Sequence, residues 1–138
     1  MARTKTTQER IDHLVALGAP LETPGREFVR QWCGGERSED GTISWPYPEY
    51  CDDVDAFFRA AEAPWWNDYT YDAVALGELM QDDAYIARAT LAQIKALLTF
   101  CVRGERFGDG HREALLKAGR INAILRRLRD LRVVPQWK

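Results

Sequence analysis

Residues 84–102 read AYIARATLAQIKALLTFCV, and in these nineteen residues only Arg88 and Lys95 are charged. On a helix both fall, with Thr99, on one narrow strip, while Ile86, Leu91, Ile94, Leu97, Leu98, Cys101 and Val102 cover most of the circumference. A helix apolar on nearly all sides must be surrounded by other elements. The stretch therefore predicts a long helix over 84–102, capped by Asp82 or Asp83, as the central post of a mainly α fold of five or six helices.

The surrounding helices follow from weaker but consistent patterns. Thr6 and Glu9 have the spacing of a capping box, Ile11, Leu14 and Val15 form one stripe, and Gly18 with Pro20 ends the turn, which predicts a helix over 7–17. A second is expected over 52–63, with Val54, Phe57, Phe58 and Ala61 inward and Pro64 as its stop, and a short third over 71–80 carries Val74 and Leu79. After a loop of three glycines and five ionisable side chains at 103–111, Asp109 is placed to cap a helix to 118 with Leu115 and Leu116 inward. Gly119 breaks it, and Ile121, Ile124, Leu125, Leu128 and Leu131 stripe a last helix over 120–131. Between them a short β-hairpin is expected near 27–46, pairing the Phe28 to Trp32 region with 42–45 across the glycines Gly34, Gly35 and Gly41. Pro46-Tyr47-Pro48 should turn the chain, because a proline has no amide hydrogen for a strand ladder.

At 138 residues with 46% apolar and 29% charged side chains, the chain has the size and balance of one globular domain spanning 1–138, with 1–6 flexible and 135–138 a tail. No stretch reaches the length of uncharged apolar residues that a membrane helix requires, and the first residues lack the apolar segment of a signal peptide, so a cytoplasmic location is expected. Cys33, Cys51 and Cys101 are odd in number and widely spaced, which indicates neither a disulfide framework nor a zinc site. No cofactor is expected. His13 and His111 lie in different elements, and Asp52-Asp53-Val54-Asp55 lacks the glycine and spacing of a calcium loop, so no metal is expected either.

The net charge of −2 conceals a division along the chain. Residues 1–35 carry +1, residues 36–83 carry thirteen acidic and two basic side chains, and residues 84–138 carry +8. Nine of the fifteen aromatics lie between Trp45 and Tyr71, inside the acidic stretch. The acidic and basic parts either neutralise one another in the fold or leave one of them as a docking face.

Two groups of residues resemble a known family. Pro46-Tyr47-Pro48-Glu49-Tyr50 and Asp68-Tyr69-Thr70-Tyr71, with Arg103-Gly104-Glu105-Arg106-Phe107, Asp109-Gly110-His111, Gly119 and Leu125-x-x-Leu128, are similar to the DUF6508 family of small bacterial proteins of unknown function. The resemblance covers roughly residues 28–131. It implies a prokaryotic or phage origin and a single domain, and it transfers no mechanism. Gly108 departs from the pattern, which carries a cysteine there, and this argues against thiol chemistry in that loop.

Three surfaces compete for a function. The leading reading is a non-enzymatic interaction protein whose acidic, aromatic middle docks a protein with a basic surface through Trp45, Tyr47, Tyr50, Asp52, Asp53, Asp55, Trp65, Trp66 and Asp68. In a phage setting its concrete form is a small inhibitor, such as an anti-CRISPR or nucleic-acid mimic, that blocks a positively charged channel. The carboxylates of Asp52, Asp53 and Asp55 have a structural explanation too, since the positive end of a helix dipole favours them in a first turn. The second reading is nucleic-acid binding by the basic C-terminal helices through Arg120, Arg126, Arg127 and Arg129. Against it, Ile121-Asn122-Ala123-Ile124 places apolar groups where base-reading side chains should project. The third is an enzyme at the loop of Arg103, Glu105, Arg106, Asp109 and His111, with arginines for an anion, a carboxylate base and a histidine titrating near neutrality. No nucleophile motif, phosphate-binding loop or ligand pair supports it, so an enzyme is not favoured.

Overall fold

The computed structural model of the chain describes residues 6–35, 37–42, 46–104 and 110–133. Among these are seven α-helices and one two-stranded antiparallel sheet. Helix α1, Thr7–Gly18, starts on the expected capping box, with Glu9 N–H donating to the Thr6 hydroxyl at 3.1 Å and the Thr6 N–H donating to the Glu9 carboxylate at 3.2 Å. Gly18 is its last residue, one beyond the expected end, and a Cβ there would sit 2.6 Å from both methyls of Leu125, so the glycine also permits close approach to the last helix. A 3-10 turn, Ala19–Glu22, follows.

The hairpin forms with a different second strand. β1, Val29–Cys33, pairs with β2, Tyr47–Tyr50, in the register Val29 to Tyr50, Gln31 to Glu49, Trp32 to Pro48 and Cys33 to Tyr47, with a bulge between Val29 and Gln31. Pro48 thus sits within a strand that was expected to be a turn. In a two-stranded ribbon each strand keeps one open side, and a proline is tolerated there as it would not be in a central strand. Residues 43–45 of the expected partner strand lie outside the described residues.

Helix α2, Asp52–Ala61, buries Val54, Phe57, Phe58 and Ala61 as expected. It ends two residues before the expected 63, because Pro64 disfavours helical geometry at Ala63, which is extended at φ −56° and ψ 143°. A 3-10 turn, Pro64–Trp66, leads to α3, Ala73–Leu79, capped by Asp72. Val74 points outward and is 76% exposed; the inward positions of this helix are Leu76 and, just past its end, Met80.

The central post is two helices. α4, Asp83–Ala87, is capped by Asp82, and α5, Leu91–Gly104, starts afresh after a break at residues 88–90. Thr90 and Gln93 form a second capping box: the Gln93 N–H donates to the Thr90 hydroxyl at 3.2 Å and the Thr90 N–H to the Gln93 side-chain oxygen at 2.8 Å. Helix α5 retains the central place, packed against α2, the Pro64–Trp66 turn, α3, α6 (His111–Lys117) and α7 (Arg120–Val133). Ile94, Leu97, Leu98 and Cys101 on it are fully buried. The chain enters α6 through Gly110 at φ 88°, with Leu115 and Leu116 buried; Asp109, its expected cap, lies outside the described residues. Gly119, at φ 76°, turns the chain into α7, whose Ile121, Ile124, Leu125 and Leu128 close the core.

Candidate interaction surface

The acidic middle is partly neutralised by arginines from both ends of the chain. Arg26 grips Asp53 with two bonds of 2.5 and 2.9 Å, and Arg30 reaches Asp52 at 2.5 Å and Glu49 at 3.3 Å. From the basic third, Arg112 meets Glu62 at 3.2 Å and Arg120 meets Asp83 at 2.6 Å. The other described acids of the stretch divide in two. Asp40, Asp68, Asp72 and Asp82 accept local backbone or hydroxyl hydrogens, and Glu39, Asp55 and Glu78 make no ion pair among the described residues.

These bonds hold several carboxyls below their usual range. A hydrogen bond from Arg26 lowers Asp53, bonds from Gln31 and Cys33 lower Glu49, bonds from Thr70 lower Asp68, and Ser38 with Thr42 brings Asp40 to about 2. A carboxyl depressed by folding contributes stability that is complete above its unfolded pKa and is lost as pH falls through the folded value. The urea midpoint should therefore hold from neutrality to about pH 5 and fall below about pH 4, where unfolded carboxyls begin to take up protons. Asp53→Asn should flatten that fall; an unchanged acid limb in that variant would refute the assignment.

The aromatics do not share one face. Tyr50 is a core residue, 6% exposed, whose hydroxyl accepts the Glu113 N–H at 3.2 Å, and Trp66 is buried. Trp65 stands perpendicular to Trp66 with centroids 4.9 Å apart, and the Lys95 ammonium lies 3.6 Å from the Trp65 ring centre. Tyr47 is half exposed on the sheet, and Trp45 lies outside the described residues. Trp32, which the sequence reading placed only in the hairpin, is also half exposed and packs on Gly110, where a Cβ would lie 3.1 Å from its ring. The expected docking residues thus fall into two groups: Tyr47, Asp52, Asp53 and Asp55 at the sheet and the start of α2, and Trp65 and Asp68 beside α5.

Beside α5 the segment from Asn67 to Thr70 forms a wall between two recesses. Successive side chains of an extended segment point to opposite sides, and here Asp68 and Thr70 face one recess while Asn67 and Tyr69 face the other. Thr99 of α5, 2% exposed, pins the wall: its hydroxyl accepts the Asp68 N–H at 3.0 Å and donates to the Lys95 carbonyl at 2.8 Å, with the Trp66 carbonyl at 3.3 Å.

The first recess is an open groove of about 300 Å³ between α3 and α5. Ala75, Leu76 and Leu79 of α3 and Ala92 and Ala96 of α5 form an apolar floor, because alanines one turn apart leave room between the helices. Tyr71, Tyr85, Asp68, Asp72 and Gln93 stand around it. Tyr71 is fixed by an edge-on contact with Phe100, centroids 6.4 Å apart. The second recess, about 200 Å³, is polar and lined by Glu62, Asn67, Tyr69, Thr99, Val102 and Arg103, with the Arg103 guanidinium 5.0 Å from the Tyr69 ring centre.

Of the residues weighed for an enzyme, Glu105, Arg106 and Asp109 lie outside the described residues. Arg103 lines the polar recess, whereas His111 packs edge-on to Phe100 at 5.8 Å and tightly against Gly104. Burial pushes the Cys101 thiol up to about 12, which leaves it protonated at neutral pH. Among the described residues, no group of three or more His, Cys, Asp or Glu is placed to hold a metal ion, and no helix is long and apolar enough to cross a membrane.

The basic helices hold the fold with most of the arginines weighed for nucleic acid. Arg120 bonds Asp83 and the Met80 carbonyl, Arg127 donates to the Ala89 carbonyl at 2.8 Å, and Arg129 forks onto Glu22 at 2.7 and 2.8 Å. Arg126 is exposed and makes no such bond among the described residues.

A family model for a family of unknown function (DUF6508) matches residues 6–133, further toward the N-terminus than the resembling motifs and so including α1. No curated protein and no solved structure matches the chain.

Proposed function

The chain belongs to the DUF6508 family, whose function is unknown, and we propose that it is a non-enzymatic interaction protein that docks a basic segment of a partner protein on its acidic, aromatic middle. The observation that carries this reading is the groove between α3 and α5. Its floor is apolar, and the carboxylates of Asp68 and Asp72 at its rim have no ion-pair partner among the described residues. An apolar groove between two helices suits the apolar face of an amphipathic helix, and carboxylates without an ion pair beside it favour lysine or arginine flanking that face. Tyr71 and Tyr85 supply the aromatic area that interfaces favour.

The nucleic-acid-mimic version draws less support. Glu49, Asp52, Asp53, Glu62 and Asp83 are engaged by arginines of the same chain, so the middle is not a row of free charges. The determinants of docking shift accordingly, from Asp52 and Asp53 to Asp68 and Asp72.

The test is a titration of the isotope-labelled protein with a synthetic amphipathic helix, leucines on one face and lysines beside it, followed by amide chemical shifts. Saturable shifts should concentrate on α3 and the first half of α5. Ala92→Arg, which fills the groove from an exposed position, should abolish them, and Asp68→Asn with Asp72→Asn should weaken binding about tenfold. Asp52→Asn should have little effect. Shifts spread over the whole surface, or equal sensitivity to Asp52→Asn, would overturn the reading.

A further inference from the structure

The second recess, on the other face of the 67–70 wall, has a different chemistry. Arg26, Arg30, Arg112, Arg120, Arg127, Arg129 and Arg132 each meet a carboxylate of this chain. Arg103 does not. Its guanidinium lies over the Tyr69 ring and donates no hydrogen bond among the described residues, although it lines a concavity of about 200 Å³. The Asn67 side chain, in the same recess, is likewise without a hydrogen-bond partner there. A forked, permanently charged donor held over an aromatic ring suits a planar anion.

The surroundings decide which anion. Glu62 also lines the recess, but Arg112 neutralises it, and Arg112 donates as well to the Val102 carbonyl at the end of α5, at 3.3 Å. That bond offsets the negative end of the helix dipole, which would otherwise repel an anion at this place. Among the described lining residues the balance is then a single positive charge, on Arg103. One such charge matches a monoanion, whereas a phosphate dianion would leave an uncompensated negative charge in the recess. The volume of about 200 Å³ admits a small molecule, and the exposed Tyr69 ring offers a face for a flat group.

We infer that the recess formed by Arg103, Asn67 and Tyr69 is a binding site for a small planar carboxylate, with Arg103 forking onto the two oxygens, Asn67 donating to one of them and Tyr69 covering the plane. The same chemistry comes from a free small carboxylic acid or from the C-terminal carboxylate of a peptide. Because Asn67 and Tyr69 alternate with Asp68 and Thr70 along one short segment, occupation of this recess orders the wall of the α3–α5 groove. The site itself stands whether or not that groove docks a helix.

Benzoate and its neutral counterpart benzamide are the probes. Titration of the intact protein with benzoate should give saturable shifts at the Arg103 side-chain Nε–H and the Asn67 amide, and benzamide should give none. Arg103→Gln should weaken benzoate at least tenfold, and Arg103→Lys, which keeps the charge but loses the fork, should lie between. A tetrapeptide with a free C-terminus, compared with its C-terminal amide, separates the two sources: binding of the free form tighter than benzoate assigns the site to peptide ends, and the reverse to small acids. Equal response to benzoate and benzamide, or unchanged benzoate binding in Arg103→Gln with a native spectrum, would overturn the site.

Discussion

Replacing Phe58 with alanine should remove about 3–5 kcal/mol of unfolding free energy, a large fraction of the roughly 5–15 kcal/mol that holds an ordinary domain together. The ring is fully buried in the interior face of α2 and meets Phe57 edge to face at 5.3 Å. It also lies under the guanidinium of Arg112, 4.7 Å from the ring centre, and Arg112 is held in turn by Glu62 and the end of α5. Truncation therefore leaves a cavity between α2 and its neighbours and takes away the face on which a half-buried arginine rests. Phe58→Leu keeps most of the volume and should cost far less. Urea unfolding at neutral pH measures both: the midpoint should drop steeply for alanine with the slope unchanged. A loss below about 1.5 kcal/mol for Phe58→Ala would mean that the site collapses, and that α2 is not the rigid support assumed for the recess beside it.

How much of this was legible in the sequence depends on the range over which each signal acts. The Thr6 and Glu9 box is local, and it was read correctly. The Thr90 and Gln93 box is equally local, yet it was hidden, because Ile86 ahead of the break, Ala89 within it and Ile94 beyond it are all buried and the apolar pattern runs straight through. Apolar periodicity reports which residues face the core. It does not report that the helix axis changes between them. Pro48 misled for a different reason: the rule against proline concerns central strands, and the two-stranded ribbon has none. The Val74 assignment failed because Leu76 and Leu79 also fit a short helix, and seven residues are too few for a period to choose its face.

The charge division was visible as a sum, but its resolution was not. Arg129 and Glu22 are 107 residues apart, and Arg112 and Glu62 are 50 apart. Such pairs depend on tertiary packing that no spacing announces. The candidate surface suffers from the same gap. The aromatic and acidic residues were recognised as unusual, but that Trp66 is buried while Trp65 stands perpendicular to it was not. What could not be read was the alternation of Asn67 to Thr70 across two recesses, because it becomes meaningful only when Thr99, some thirty residues on, pins that segment to α5.

Thr99 is where fold and surface meet, and Thr99→Val tests both. Valine has nearly the same shape, so the apolar packing of α5 should survive. The Asp68 N–H would be left without its acceptor in a part-buried place, and the Lys95 carbonyl would lose the hydroxyl donor. An orphaned buried group of this kind costs about 1–3 kcal/mol, and the urea midpoint should fall accordingly. Thr99→Ser retains the hydroxyl and should restore most of the bond energy. The more telling measurement is local: amide exchange at residues 66–70 should accelerate in Thr99→Val beyond what the global destabilisation predicts, since the wall is the element released. Because one face of that wall carries Asp68 and the other Asn67 and Tyr69, the substitution should weaken the amphipathic peptide and benzoate together, whereas Ala92→Arg affects only the first and Arg103→Gln only the second. Uniform exchange across the chain, or loss of one ligand without the other in Thr99→Val, would show that the two recesses do not share the wall as a common support.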